Sequence, residues 1–106
     1  MNKAELISAV ASKTSLTKAQ VTEVLRAFED VVVNAISEGE KVQMTGFLTI
    51  APRIRSARKG FNPLSGQEID IPAKMGLRLI PGTRLRKVVE ELDIKTFAEK
   101  QQQQEG

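Results

Sequence analysis

Apolar residues recur along this chain with two different periods, and the change from one to the other divides it. Leu6, Ile7, Val10 and Ala11 keep the three–four spacing of a helix, with Asn2 as its cap and Glu5 three positions on. Ser15-Leu16-Thr17 interrupts the run, and Thr17 with Gln20 repeats the starting signal. Val21, Val24, Leu25, Phe28, Val31, Val32, Ala35 and Ile36 then continue to about Glu38, where Gly39 can end the helix. A stripe this long on a small chain predicts burial against both the first helix and a second copy.

Past Gly39 the period drops to two. Val42 and Met44 point inward, Thr45-Gly46 turns the chain, and Phe47 to Ile54 reads as a second strand. Leu48, Ile50 and Ile54 share one face of it, while Thr49, Ala51, Arg53 and Arg55 share the other. Pro52 implies an edge or a bulge, because it cannot donate to the ladder. Met75, Leu77 and Leu79 restore the alternation, with Gly76 as a candidate bulge. Pro81-Gly82-Thr83 opens a third helix, with Thr83 as its expected cap and Leu85, Val88, Val89 and Leu92 inward. Residues 93–100 extend or dock as one more turn, and residues 101–106 are expected to be a disordered Gln-rich tail. The class is α+β, one domain over residues 1–100: two helices, a three-stranded antiparallel sheet and a short C-terminal helix.

Residues 53–78 do not suit a core. RIRSARKGFNPLSGQEIDIPAKMGLR reads as two strands around a turn at Asn62-Pro63-Leu64-Ser65-Gly66. Pro presets φ for such a turn, and Gly accepts a positive one. Arg53, Arg55, Arg58 and Lys59 crowd the outgoing strand, and Ile69, Ile71, Pro72 and Ala73 line the return. From Arg55 to Pro63 an extended chain covers about 26 Å. The stretch is a long protruding β-arm.

Charge sharpens that reading. The net charge of +3 is divided: residues 1–52 carry five basic and six acidic side chains, residues 53–89 nine and two, and residues 90–106 two and five. Basic charge concentrated on the arm and the next helix is the footprint of a polyanion binder. The plainer alternative is a strand edge kept soluble by Lys and Arg. Without the arm and tail, roughly 70 residues remain, enough for about 3–5 kcal/mol from a core. The chain has no Cys or His to staple it with a disulfide or a Cys/His-bound metal, so a homodimer is expected. The missing cysteines fit a reducing cytoplasm, and no signal peptide or long apolar run suggests a membrane.

Catalytic chemistry is poorly supplied. Ser and Thr have no His to activate them, and Glu29-Asp30 and Glu90-Glu91 read as solvated helix charges. No enzyme, cofactor or small-molecule substrate is expected. Phe61 and Pro63, at the end of a basic strand, instead suit the wedges that architectural proteins insert between base pairs in the minor groove. The alternative for Phe61 is a cluster with Leu64 and Ile69 that stiffens the arm.

The segments MNKAELI at the start, TGF at 45–47, ARKGFNP at 57–63, IPA at 71–73 and the PG before the third helix resemble the HU/IHF family of bacterial DNA-bending proteins. The resemblance covers residues 1–92 and implies an IHF-like fold in an intertwined homodimer. Its two arms would embrace double-stranded DNA in the minor groove, bending and condensing it with low sequence specificity. Pro63 would be the intercalating wedge. Arg53, Arg55, Arg58, Lys59, Asn62, Lys74 and Arg78 would contact groove and phosphates. Lys3, the Gly46 turn, and Arg84 with Lys87 would hold the flanking DNA. HU proteins usually carry Arg where this chain has Phe61, a GFG turn where it has Gly46-Phe47-Leu48, and Phe near Ile50 and Leu79; they also end near residue 90. GFLTIAP, ARKGFNP, LRLIPG and a tail ending FAEK are closer to a phage-encoded HU homologue. That branch affects transcription and prefers DNA with hydroxymethyluracil in place of thymine. Its Phe before Asn-Pro, here Phe61, inserts beside the proline. The implied setting is a bacterial nucleoid or a phage-infected host cytoplasm.

Two other readings stand beside it. The first two helices could form a helix-turn-helix, as part of a sequence-specific regulator that reads DNA through Lys18, Gln20 and Glu23. Alternatively, the arms could grip an acidic protein partner.

Overall fold

A computed structural model describes residues 1–105 as two compact units, one over residues 1–40 and one beginning at Lys41. The first unit is a helical pair, α1 (Lys3–Thr14) and α2 (Lys18–Ser37). Its helix starts form as the sequence dictates. Asn2 Oδ1 accepts from the Glu5 backbone N–H at 2.9 Å. Thr17 and Gln20 exchange reciprocal side-chain bonds of 2.9 and 3.1 Å, a complete capping box. Ser15 turns the chain between the helices with φ +63°, and Gly39 stops α2 with φ +81°. Among the described residues Val21 alone is buried, at 2% exposure. Leu25, Val32 and Ile36 are half-buried beside it, whereas Val24, Phe28 and Val31 face solvent. The apolar stripe of α2 is therefore split, with one half unpartnered within a single chain.

The second unit contains β1 (Val42–Met44), β2 (Leu48–Arg55), β3 (Arg58–Phe61), β4 (Glu68–Ile71), β5 (Lys74–Pro81), α3 (Thr83–Glu90) and α4 (Ile94–Glu105). Strands β1, β2 and β5 form an antiparallel sheet in that order, and β3 and β4 form a separate two-stranded one. Strand β1 pairs only with the first three residues of β2, whereas β5 pairs with β2 along its full length. Pro52 thus lies beyond the end of β1, on an open edge where its missing N–H breaks no ladder. The candidate bulge at Gly76 is absent, since the register runs unbroken from Leu48↔Pro81 to Arg55↔Lys74. Gly76 has a different role: a Cβ there would lie 2.7 Å from Arg55 Nε, so the glycine leaves room for that side chain to cross.

The third helix also begins differently. Its cap position is Gly82, with no side-chain cap bond, and Thr83 is already helical. The reason is packing. A Cβ on Gly82 would overlap the Gly46 and Phe47 backbone, and the Gly82 N–H donates to Phe47 O at 2.6 Å. Gly46 O accepts from the Arg84 N–H at 2.8 Å, so a turn carbonyl rather than a side-chain cap satisfies one of the helix-start donors.

Beyond α3, the expected single turn and disordered tail give way to a twelve-residue helix through residue 105; Gly106 lies outside the described residues. Asp93 starts α4, its Oδ2 accepting from the Thr96 hydroxyl at 2.7 Å and the Thr96 N–H at 3.2 Å. Those bonds hold the Asp93 carboxyl below its ordinary value, the hydroxyl bond contributing most. After this start, Ala, Glu, Lys and Gln all favour continuing a helix, and low complexity alone does not prevent one.

Candidate nucleic-acid interface

The arm continues from the sheet in register but not in hydrogen bonding. Arg55↔Lys74 and Arg58↔Ile71 belong to one alignment, with Ser56-Ala57 opposite Pro72-Ala73 as an unladdered joint. Pro72 lacks the N–H that a continuous ladder would use. The root of the arm is thus β2–β5, and its tip is β3–β4.

Residues opposite one another in an antiparallel pair share a face. At the root, one face carries Arg53, Arg55, Lys74 and Arg78, while the other carries Ile50, Ile54, Met75, Leu77 and Leu79. No carboxylate occurs on either root strand. Arg53, Arg55, Arg58 and Lys74 also line a cavity of about 390 Å³ at the joint, whose walls include Ile54 and Pro72 but no acid. The apolar face stays open in the single chain, with Ile54 71% exposed and Leu79 59%.

The tip is built on Asn62. Its backbone N–H donates to Gln67 O at 2.9 Å, its carbonyl accepts from Gly66 at 2.8 Å, and its side chain accepts from the Leu64 N–H at 2.9 Å. Gly66 takes φ +72°, the left-handed conformation expected of it. Asn62 therefore shapes the turn, a role distinct from the groove contact expected of it. These bonds hold Pro63 at the exposed apex. Phe61 is 66% exposed and Leu64 97%. The alternative of a stiffening cluster of Phe61, Leu64 and Ile69 does not form, because Ile69 lies opposite Gly60 and hence on the other face from Phe61. Ile69 and Ile71 fold over Gly60 instead, within 3.4 Å of where its Cβ would stand.

The remaining sequence-predicted residues fall into two groups. Arg84 and the Gly46 turn come together: the Arg84 side chain passes 3.8 Å from a Cβ built on Gly46, which has φ +82°. Lys87 follows Arg84 by three residues on α3, on the same side. Lys3 belongs to the helical pair, where its Nζ lies 2.9 Å from Glu29 Oε2. Gln20, part of the alternative helix-turn-helix reading face, has its amide oxygen engaged in the α2 capping box. Lys59 Nζ lies 3.9 Å from Glu68 Oε2. Glu68 and Asp70 stand on the same strand pair, at positions the sequence pattern alone does not assign to a face. The register places Glu68 opposite Phe61 and Asp70 opposite Lys59.

A β-ribbon with a basic, acid-free root and an exposed aromatic and proline at its tip defines a nucleic-acid-binding protein of the architectural class. The bacterial DNA-binding protein family, the HU/IHF group, matches residues 1–90, and the chain belongs to it. It is 44% identical over 98 residues to transcription factor 1 of Bacillus phage SP01, covering 92% of this chain and 99% of that one. Similarity to DNA-binding protein HU 1 of Bacillus subtilis is 43% over 89 residues, covering 84% and 97%. Among solved structures, an HU–DNA cocrystal from Anabaena matches with a TM-score of 0.75 at 39% identity, covering 87% of this chain and all of that one. The solution structure of a transcription factor 1 mutant matches at 0.62 and 44% identity, covering 92% and 99%.

Proposed function

We propose that the protein acts as a homodimer whose two arms enter the minor groove of duplex DNA and bend it, with Phe61 and Pro63 as wedges. The observation that carries this reading is the two-faced root, which sets Arg53, Arg55, Lys74 and Arg78 against an apolar face that a single chain leaves open. The cations supply sequence-independent affinity by neutralising phosphates. The open faces of the root and of α2 require a second copy, because one chain buries too little to be stable by itself. Arg84 and Lys87, beside the Gly46 turn, extend the basic surface onto flanking DNA, with Lys3 contributing from the helical pair.

Bending comes from the tip. Unstacking a base step costs a few kcal/mol, offset by the additional contacts that bent DNA makes. Selectivity then follows deformability, at flexible pyrimidine–purine steps or at a modified base such as hydroxymethyluracil. The similarity to transcription factor 1 supports a phage or phage-derived setting. Any 98-residue match in this chain extends at least to residue 98, and so includes the first turn of α4. The working place is a bacterial nucleoid or a phage-infected host cytoplasm, with condensation of DNA and an effect on transcription as consequences. Energy transfer across end-labelled duplexes tests the wedge: Phe61→Ala and Pro63→Ala should each reduce bending more than binding. Equal bending by all three proteins would contradict it.

A further inference from the structure

Root and tip differ in charge as well as in hydrogen bonding. The root strands hold Arg53, Arg55, Lys74 and Arg78 with no acid. The tip strands hold Arg58 and Lys59 against Glu68 and Asp70 and have no net charge. Register concentrates the difference. Arg58 shares its face with Gly60, Ile69 and Ile71, whereas Lys59, Phe61, Glu68 and Asp70 occupy the other, which is net negative. The exposed wedge residue therefore stands on the acidic face of the tip, and the nearest cation on that face has Glu68 3.9 Å away. Both partners are well exposed, so the contact does little for stability. Its effect on an approaching phosphate is larger, since two carboxylates offset the attraction of Lys59.

We infer that Glu68 and Asp70 are specificity-determining residues, an electrostatic brake that keeps the tip from gripping phosphates so that it engages only where a base step opens. Without the brake, cations at the tip would bind every duplex, and the unstacking cost would be a smaller part of the balance. With it, phosphate affinity resides in the root and discrimination in the tip. Specificity is a difference of affinities, and raising the cost of the wrong target is one way to enlarge it. The inference rests on the reading that the arms engage duplex DNA.

The test uses Glu68→Gln and Asp70→Asn, singly and together, in the full chain. These near-isosteric changes lie at exposed positions. Binding is measured against a fully paired duplex and against one of the same sequence made flexible by a central mismatch. The double variant should bind the paired duplex roughly threefold or more tightly, bind the flexible one with a smaller gain, and show a steeper salt dependence. Lys59→Gln should cost more affinity in the Glu68→Gln background than in the parent. Unchanged affinity and selectivity in a parent-like background would overturn the brake while leaving DNA binding intact. Failure of the parent to bind either duplex would overturn both readings.

Discussion

The root and tip of the arm share one strand register, yet they differ in ladder length, charge and exposed chemistry. The root is an eight-residue ladder with cations on one face and aliphatic side chains on the other. The tip is a four-residue ladder with balanced charge, an exposed Phe and a turn locked by Asn62. Between them, Pro72 interrupts the ladder without shifting the register. A ribbon that must bind any phosphate needs density of charge. A wedge that must test whether bases separate needs a rigid apolar point with little phosphate affinity of its own. On the proposed reading, the difference assigns affinity and bending to separate parts of one continuous hairpin.

The largest predicted effect breaks the root from behind. Leu79→Asp places a charge on the open apolar face, where a second copy would bury it. Burying an unpaired carboxylate costs several kcal/mol, so sedimentation should find a monomer with a lowered thermal midpoint. A stable dimer would contradict the assignment of that face. Next, Gly82→Ala forces a methyl group into the Gly46-Phe47 backbone, and urea unfolding should show a loss of about 1–3 kcal/mol. It would sharpen the comparison by loosening the body without touching the arm.

Arg55→Ala acts on the root directly. Loss of a charge-assisted phosphate contact of about 1.5–3 kcal/mol on each arm of the dimer should weaken binding to every sequence by roughly a hundredfold or more. Fluorescence anisotropy at several salt concentrations checks it; a sequence-dependent loss would assign Arg55 to base reading instead. The smallest effect lies in α4. Asp93 has a folded pKa below its ordinary value of 3.8, so its contribution is complete above that value. It is lost as pH falls through the depressed value. Thr96→Val, which removes the hydroxyl donor, should move this acid loss of helicity to higher pH, as followed by circular dichroism.

Much of this organisation was legible in the sequence, because it is local. Asn2, Thr17-Gln20, Gly39 and the Asn62–Gly66 turn each satisfy backbone groups within a few residues, and the structure forms them where expected. What was not legible depends on partners distant in sequence. Gly76 looked like a bulge until the Arg55 side chain was found crossing over it, and Thr83 looked like a cap until Gly82, packed on the Gly46-Phe47 backbone, proved to hold the cap position. Phe61 and Ile69 seemed able to cluster because their faces follow from a register that periodicity does not set. The same register hid Glu68 and Asp70. The α4 helix was missed because glutamine repeats suggested disorder, although Gln is itself a competent helix former.

The most direct test compares the salt dependence of duplex binding for three proteins: the parent, Arg53→Ala/Arg55→Ala, and Phe61→Ala/Pro63→Ala. Each phosphate contact contributes about 0.9 to the slope of log affinity against log salt, and a homodimer loses each contact twice. The root variant should therefore lose roughly three to four units of slope. The tip variant should keep the parental slope while binding more weakly. A tip variant that loses slope as much as the root variant would contradict the division between grip and wedge.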